Sequence, residues 1–117
     1  MVRLRNERGY IYIARDVFTY LTGDAATNCF GVKGMTIRSV TDGLVHLLRK
    51  ESMGKGIRVA YNADGTISID LHIAVDQGVN IPVLCDSIMD EVHYKVTKGT
   101  GVGVKRVNIF VDSMIIG

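Results

Sequence analysis

A single proline, Pro82, stands in this chain of 117 residues, and no segment is rich in proline, serine or charges of one sign. Linkers and disordered tails are built from such segments, so one folded domain over residues 1–117 is expected. Long apolar runs are missing too. None approaches the roughly 20 residues that cross a bilayer as a helix. The opening stretch, Met1-Val2-Arg3-Leu4-Arg5-Asn6-Glu7-Arg8, is charged and leads into no apolar stretch of signal-peptide length. A cytoplasmic protein is therefore expected, reaching a membrane only peripherally through a partner. Cysteine is scarce. Cys29 and Cys85 both fall on the apolar stripes of predicted helices, which favours small buried side chains over a disulfide or a metal site.

Motifs of known chemistry are also missing. The chain has no GxSxG, no HExxH and no P-loop. His46, His72 and His93 include no pair at HxH or HxxxH spacing, and structural zinc needs more Cys and His at closer spacing. His72 shares a strand face with Asp70, but a catalytic couple also needs a nucleophile and a pocket. Gly99-Thr100-Gly101-Val102-Gly103 is glycine-rich. It follows a predicted helix and opens a strand, the reverse of a dinucleotide loop. No enzyme, no cofactor and no metal are expected.

Charge is present but unevenly spread. Residues 1–60 hold ten Lys/Arg against five Asp/Glu, a net of +5, and residues 61–117 hold four against seven, a net of −3. Such asymmetry suits a weakly anion-binding face or head-to-tail self-association, but at this magnitude a mixed solvated surface is the favoured reading.

What the sequence does have is periodicity. Ile67, Ile69, Leu71, Ile73 and Val75 alternate with Ser68, Asp70, His72, Ala74 and Asp76, one long strand with a single buried face. Ile69 and Leu71 point inward in this reading, and Asp70 is a solvated outer residue. After Gly78 the period changes. Ile81, Leu84, Cys85, Ile88, Met89, Val92 and Val96 form one helical stripe. Asn80 caps that helix, Pro82 sits in its first turn, and Gly99-Thr100-Gly101 ends it.

Upstream, Ile57, Val59 and Tyr61 make a second strand, joined to the long one by the turn Asn62-Ala63-Asp64-Gly65. Gly9 to Ile13 is a short strand. Asp16 caps a following helix that carries Val17, Phe18, Leu21, Ala25 and Cys29 on one side and stops at Gly31. Residues 32–40 show no clear period. Residues 42–51 read as a short helix with Leu44, Leu47 and Leu48 on its apolar side. In the last strand the parity of Val102 and Val104 shifts before Val107, Ile109 and Val111, which predicts a bulge at Lys105-Arg106.

The expected fold is α+β, a mainly antiparallel sheet covered by helices in the order β-α-(short α)-β-β-α-β, with a split βαβ topology. That topology places the last strand beside the first, at a sheet edge. Val107, Ile109 and Val111, followed by Met114, Ile115 and Ile116, then offer an apolar edge to a second copy. A homo-oligomer is expected, with Met114 to Ile116 folded back on their own helices as the alternative.

The stretch from Phe30 to Arg38 supports a second function. The spacing of Gly31-Val32-Lys33-Gly34 is similar to the GxxG loop of KH domains, which clamps nucleic-acid backbone. A KH-like RNA-binding module would use Gly31, Lys33, Gly34 and Arg38 and needs a helix on each side of the loop. A glycine helix cap followed by a turn explains the same residues.

The whole ordered pattern resembles the alkaline-shock-protein family, small envelope-stress-response proteins of Gram-positive bacteria. The resemblance runs from Gly9 to Val111. It rests on Gly9-x-Ile11-x-Ile13, Gly31-Val32 with Gly34-Met35, and Gly56-Ile57-Arg58-Val59. It continues through the long strand from Gly65 to Val75 and Gly78 before Ile81-Pro82, and closes on Thr100-Gly101-Val102 and Val107-Asn108-Ile109. This chain resembles the short, single-domain members. The resemblance implies a non-enzymatic protein of envelope stress response or envelope lipid homeostasis, self-assembling and working through protein partners. A membrane-anchored protein and a dihydroxyacetone-kinase-like protein of lipid metabolism are the partners it implies. It carries over no catalytic residue.

Overall fold

The computed structural model describes residues 1–38, 44–48 and 54–116. Two strands open the chain, β1 (Val2–Asn6) and β2 (Gly9–Ile13), followed by helix α1 (Arg15–Thr27). Strands β3 (Val32–Arg38), β4 (Val45–Leu47), β5 (Ile57–Tyr61) and β6 (Ile67–Asp76) come next, then helix α2 (Ile81–Thr100) and strand β7 (Val104–Ile115). The fold is α+β: two helices, a mixed and mostly antiparallel five-stranded sheet, and a separate β1–β2 hairpin.

β6 is the axis of the sheet. Ile67, Ile69, Leu71, Ile73 and Val75 are fully buried, each contributing about 1.5–3 kcal/mol of apolar transfer. They form one cluster with Phe18, Ala25 and Ala26 of α1 and Leu84, Ile88, Val92 and Val96 of α2, so both helices cover the same sheet face. One edge of β6 carries β7 in parallel along nearly its whole length. The other edge is shared end to end. β3 pairs antiparallel with Val75 to Ile73, and β5 pairs antiparallel with Leu71 to Ile67. Gly56 sits where the two meet. A Cβ there would lie 2.8 Å from the carbonyl oxygen of Thr36, closer than a side chain tolerates.

The joints form as their residues dictate. Asn80 accepts a hydrogen bond from the Val83 N–H at 3.2 Å, with Pro82 in the same turn. α2 closes on Gly101, whose left-handed backbone lets its N–H reach the Thr97 carbonyl at 2.8 Å. In the β5–β6 turn, Asp64 Oδ1 accepts from the backbone N–H and the hydroxyl of Thr66. The bulge expected at Lys105 is present, and a second lies at Asp112. Ile69 and Leu71 point inward as expected. Asp70 lies on the uncovered face, accepting from Asn108 Nδ2 at 2.9 Å.

Three expectations are corrected and one strand is added. Asp16 does not cap α1. Ala14 is the cap residue and makes no side-chain bond, while Asp16 lies in the first turn, where its charge complements the helix dipole. In place of the expected short helix, Val45–Leu47 form β4, antiparallel to β3. Of that expected helix, Asp42, Gly43 and residues 49–51 lie outside the described residues. After Met35, β3 leaves β6, whose edge passes to β5, and Thr36 to Arg38 pair with Val45–Leu47 instead; that pairing overrides the helix-like spacing of Leu44, Leu47 and Leu48. Val2–Asn6 is a strand that the charged start concealed. Finally, β7 is not beside the first strand. β2 is occupied by β1, and β7 lies parallel to β6. Ten residues of β6 span about 33 Å and twenty of α2 about 30 Å, so α2 carries the chain back to the end where β6 began.

Candidate interaction surfaces

The topology leaves β7 with one paired edge. β6 is hydrogen-bonded on both sides, whereas among the described residues no strand covers the outer edge of β7. Between its two bulges, Arg106 to Val111 run in unbroken register with Ser68 to Ile73. Bulges twist and blunt an edge, so this straight stretch is the part suited to pairing with another chain. The six residues expected to drive self-association divide. Val107 is buried, and Ile109 and Val111 pack against the core from the helix side. Met114, Ile115 and Ile116 are 43%, 38% and 75% exposed, and are not folded back into the core. Phe110, on the opposite face, is also exposed.

Ile115 also lines a groove of about 840 Å³, with Cys29, Phe30, Val79, Val83 and Leu84 as its other apolar residues and Asp76 and Glu91 among its polar ones. Phe30 is 98% exposed and Val83 61%. Sequence reasoning missed both as surface residues, because Phe30 beside Cys29 at a helix end reads as core. Gly31 shapes the same corner. Its φ is +106°, and a Cβ would lie 2.9 Å from Val79 Cγ1. Its carbonyl accepts from the Asp76 N–H at 2.8 Å. Burial raises the Cys29 thiol pKa, with the Glu91 charge adding to it, and burial also raises Cys85, aided by Asp86. Both thiols are therefore weak nucleophiles near neutral pH.

The same geometry removes the KH reading. Gly31 follows α1, but Lys33 and Gly34 lie inside β3, with a β-irregularity between Val32 and Gly34. Among the described residues β3 is followed by β4 and no second helix flanks the loop, so the two-helix clamp is not formed there. Lys33 instead pairs with Asp76 at 3.1 Å on the surface, and the Leu47 side chain stands over Gly34. Arg38 ends β3 opposite Val45.

The uncovered sheet face holds an ordered polar cluster around Asp112. Asp112, made available by the second bulge, accepts with Oδ2 from the Thr36 hydroxyl at 3.0 Å and bonds His72 Nδ1 at 2.8 Å. The His72 ring stacks on Phe110 with centroids 4.6 Å apart and planes 12° apart. Among the described residues no group of three or more His, Cys, Asp or Glu is placed to hold a metal ion. No helix among them is long and apolar enough to cross a membrane.

Comparison with known proteins agrees with the resemblance read from the sequence. The pattern of the alkaline shock protein 23 family, described as having a cell envelope-related function, matches residues 3–116. The uncharacterized protein YloU of Bacillus subtilis is 33% identical, with the match covering 97% of this chain and 94% of that one. The uncharacterized protein YqhY of the same organism is 31% identical over 88% of this chain and 75% of that one. Among solved structures, the MamM CTD is similar over 84% of this chain and 93% of that one, at 17% identity and a TM-score of 0.48, too distant to bear on function.

Proposed function

Because the chain belongs to the alkaline shock protein 23 family, whose function is cell envelope-related, we propose that it is a non-enzymatic scaffold acting through protein partners. Its setting is envelope stress response or envelope lipid homeostasis. The observation that carries this reading is the uncovered edge of β7, straight from Arg106 to Val111 and flanked by exposed Met114, Ile115 and Ile116. An open edge offers backbone N–H and C=O groups in fixed register to an extended segment of another chain. A specific interface buries about 1,200–2,000 Å², more than six paired residues supply. The neighbouring groove with Phe30 and Val83 provides the remaining apolar area.

Two kinds of occupant suit the edge. A second copy gives the homo-oligomer. A membrane-anchored protein, or a dihydroxyacetone-kinase-like protein of lipid metabolism, gives a hetero-complex and brings the chain to the membrane peripherally. Affinity capture of the full chain from its native cells, with Ile115→Lys/Ile116→Lys alongside, tests the proposal. Recovery of envelope or lipid-synthesis proteins by the wild type, and their loss with the variant, is expected. Recovery of ribosomal or RNA-processing proteins by both would overturn it. Sedimentation equilibrium from micromolar to millimolar concentration tests the self-association, which a monomer throughout would remove.

A further inference from the structure

The place where β3 gives way to β5 along β6 is a crevice. The last β3 pair is Met35 with Ile73, and the first β5 pair is Ile57 with Leu71, so His72 lies opposite the gap with no strand partner on that edge. The crevice has a volume of about 420 Å³, and the polar side chains lining it are Arg15, Thr36, Lys55, Arg58, His72 and Asp112.

The charges in this crevice do not balance. Arg15, Lys55 and Arg58 make no ion pair with any carboxylate among the described residues, although the Arg15 guanidinium lies 5.5 Å from the Tyr61 ring centroid. Asp70 is the cross-strand neighbour of Arg58 but is bonded to Asn108. The one carboxylate lining the crevice, Asp112, is engaged by Thr36 and His72 through a single oxygen. Three cations against one engaged carboxylate leave the crevice with an excess of positive charge, which concentrates anions.

His72 is the ordered element. Asp112 takes up Nδ1, and the stack on Phe110 fixes the ring plane. Nε2 therefore has a set direction and no partner among the described residues. With a carboxylate on Nδ1, that nitrogen carries a proton, and Nε2 is an acceptor in the neutral ring or a donor in the charged one. A phosphate monoester satisfies either state. Its P–OH donates to neutral Nε2, or its P–O⁻ accepts from the protonated ring, while the remaining oxygens meet Lys55, Arg58 and Arg15.

We propose that the crevice between β3 and β5 is a binding site for a small phosphate monoester or inorganic phosphate, gripped by Lys55, Arg58 and Arg15 around the fixed imidazole of His72. The test is an NMR titration of the His72 imidazole in the full chain with inorganic phosphate and with phenyl phosphate, at constant ionic strength set by chloride. A saturable shift at His72 with either phosphate, and none with chloride alone, is expected. Lys55→Gln/Arg58→Gln alters two exposed side chains and should weaken that binding tenfold or more, whereas Arg5→Gln on the β1–β2 hairpin should leave it unchanged. No saturable shift at His72, or the same affinity in the double variant, would overturn the proposal.

Discussion

Replacing Asp112 with alanine tests whether the second β7 bulge stabilises the sheet. The Thr36 hydroxyl is buried, with 1% of the residue exposed, and its acceptor is Asp112 Oδ2. Losing that acceptor leaves a buried donor unsatisfied, which costs about 1–3 kcal/mol. The bond to His72 adds less. The histidine side chain is 42% exposed, and solvent-accessible pairs of this kind contribute about 0.2–1 kcal/mol. The sum is about 1–4 kcal/mol. For a chain of this length that corresponds to a fall in Tm of roughly 5–20 °C. Urea denaturation gives the free energy directly through the midpoint, provided that the slope is unchanged. Asp112→Asn keeps one acceptor oxygen and should fall between wild type and alanine. Thr36→Val removes the donor, so the Thr36→Val/Asp112→Ala double variant should cost about 1 kcal/mol less than the sum of the singles. A cost below 0.5 kcal/mol for Asp112→Ala, or strict additivity in the cycle, would refute the reasoning.

Three further outcomes are expected. Thr22 Oγ1 is buried without a hydrogen-bond partner among the described residues, so the isosteric Thr22→Val should raise stability by about 1 kcal/mol in urea; a loss would mean that the hydroxyl is satisfied. Gly31→Ala places a Cβ at φ +106° against Val79 and should cost about 1–3 kcal/mol, and an unchanged thermal midpoint would contradict the strain. The hydrogen bond from Lys95 to Asp24 at 2.7 Å, first among the causes, raises the Lys95 pKa. A raised folded-state value means that this stabilisation is complete below the ordinary lysine pKa and is lost as pH rises through the higher one. The gap between wild type and Asp24→Asn should therefore close in strongly alkaline buffer, and a gap that stays constant there would exclude the link.

The elements that were legible in the sequence are those whose periods are enforced over many residues. β6 repeats its apolar side five times and α2 carries an unbroken stripe, so each identifies itself without reference to a partner. The turn at Asn62 to Gly65 is set by local chemistry, with Asp64 holding Thr66. Even the first β7 bulge shows in the parity of its valines. What stayed hidden is decided by neighbours. Leu44, Leu47 and Leu48 suit a helix by spacing alone, and only the free end of β3 makes Val45–Leu47 a strand. Val2–Asn6 alternates weakly and needs β2 to be recognised.

The surfaces follow the same division. Met114, Ile115 and Ile116 were legible as apolar and close to an edge, because composition and order suffice for that. Which edge it is depends on the match in length between β6 and α2, which no residue states by itself. The seam at His72 is further from the sequence still. It exists because β3 and β5, separated by some twenty residues, share one edge of β6 and leave a gap between Met35 and Ile57. Thr36, His72 and Asp112 come from three strands and are joined only there. A cluster of this kind has no spacing to detect, so the uneven charge of residues 1–60 was its one trace in the sequence. Arg15, Lys55 and Arg58 all belong to that positive half, and the fold gathers part of a diffuse excess along one crevice beside the His72 imidazole.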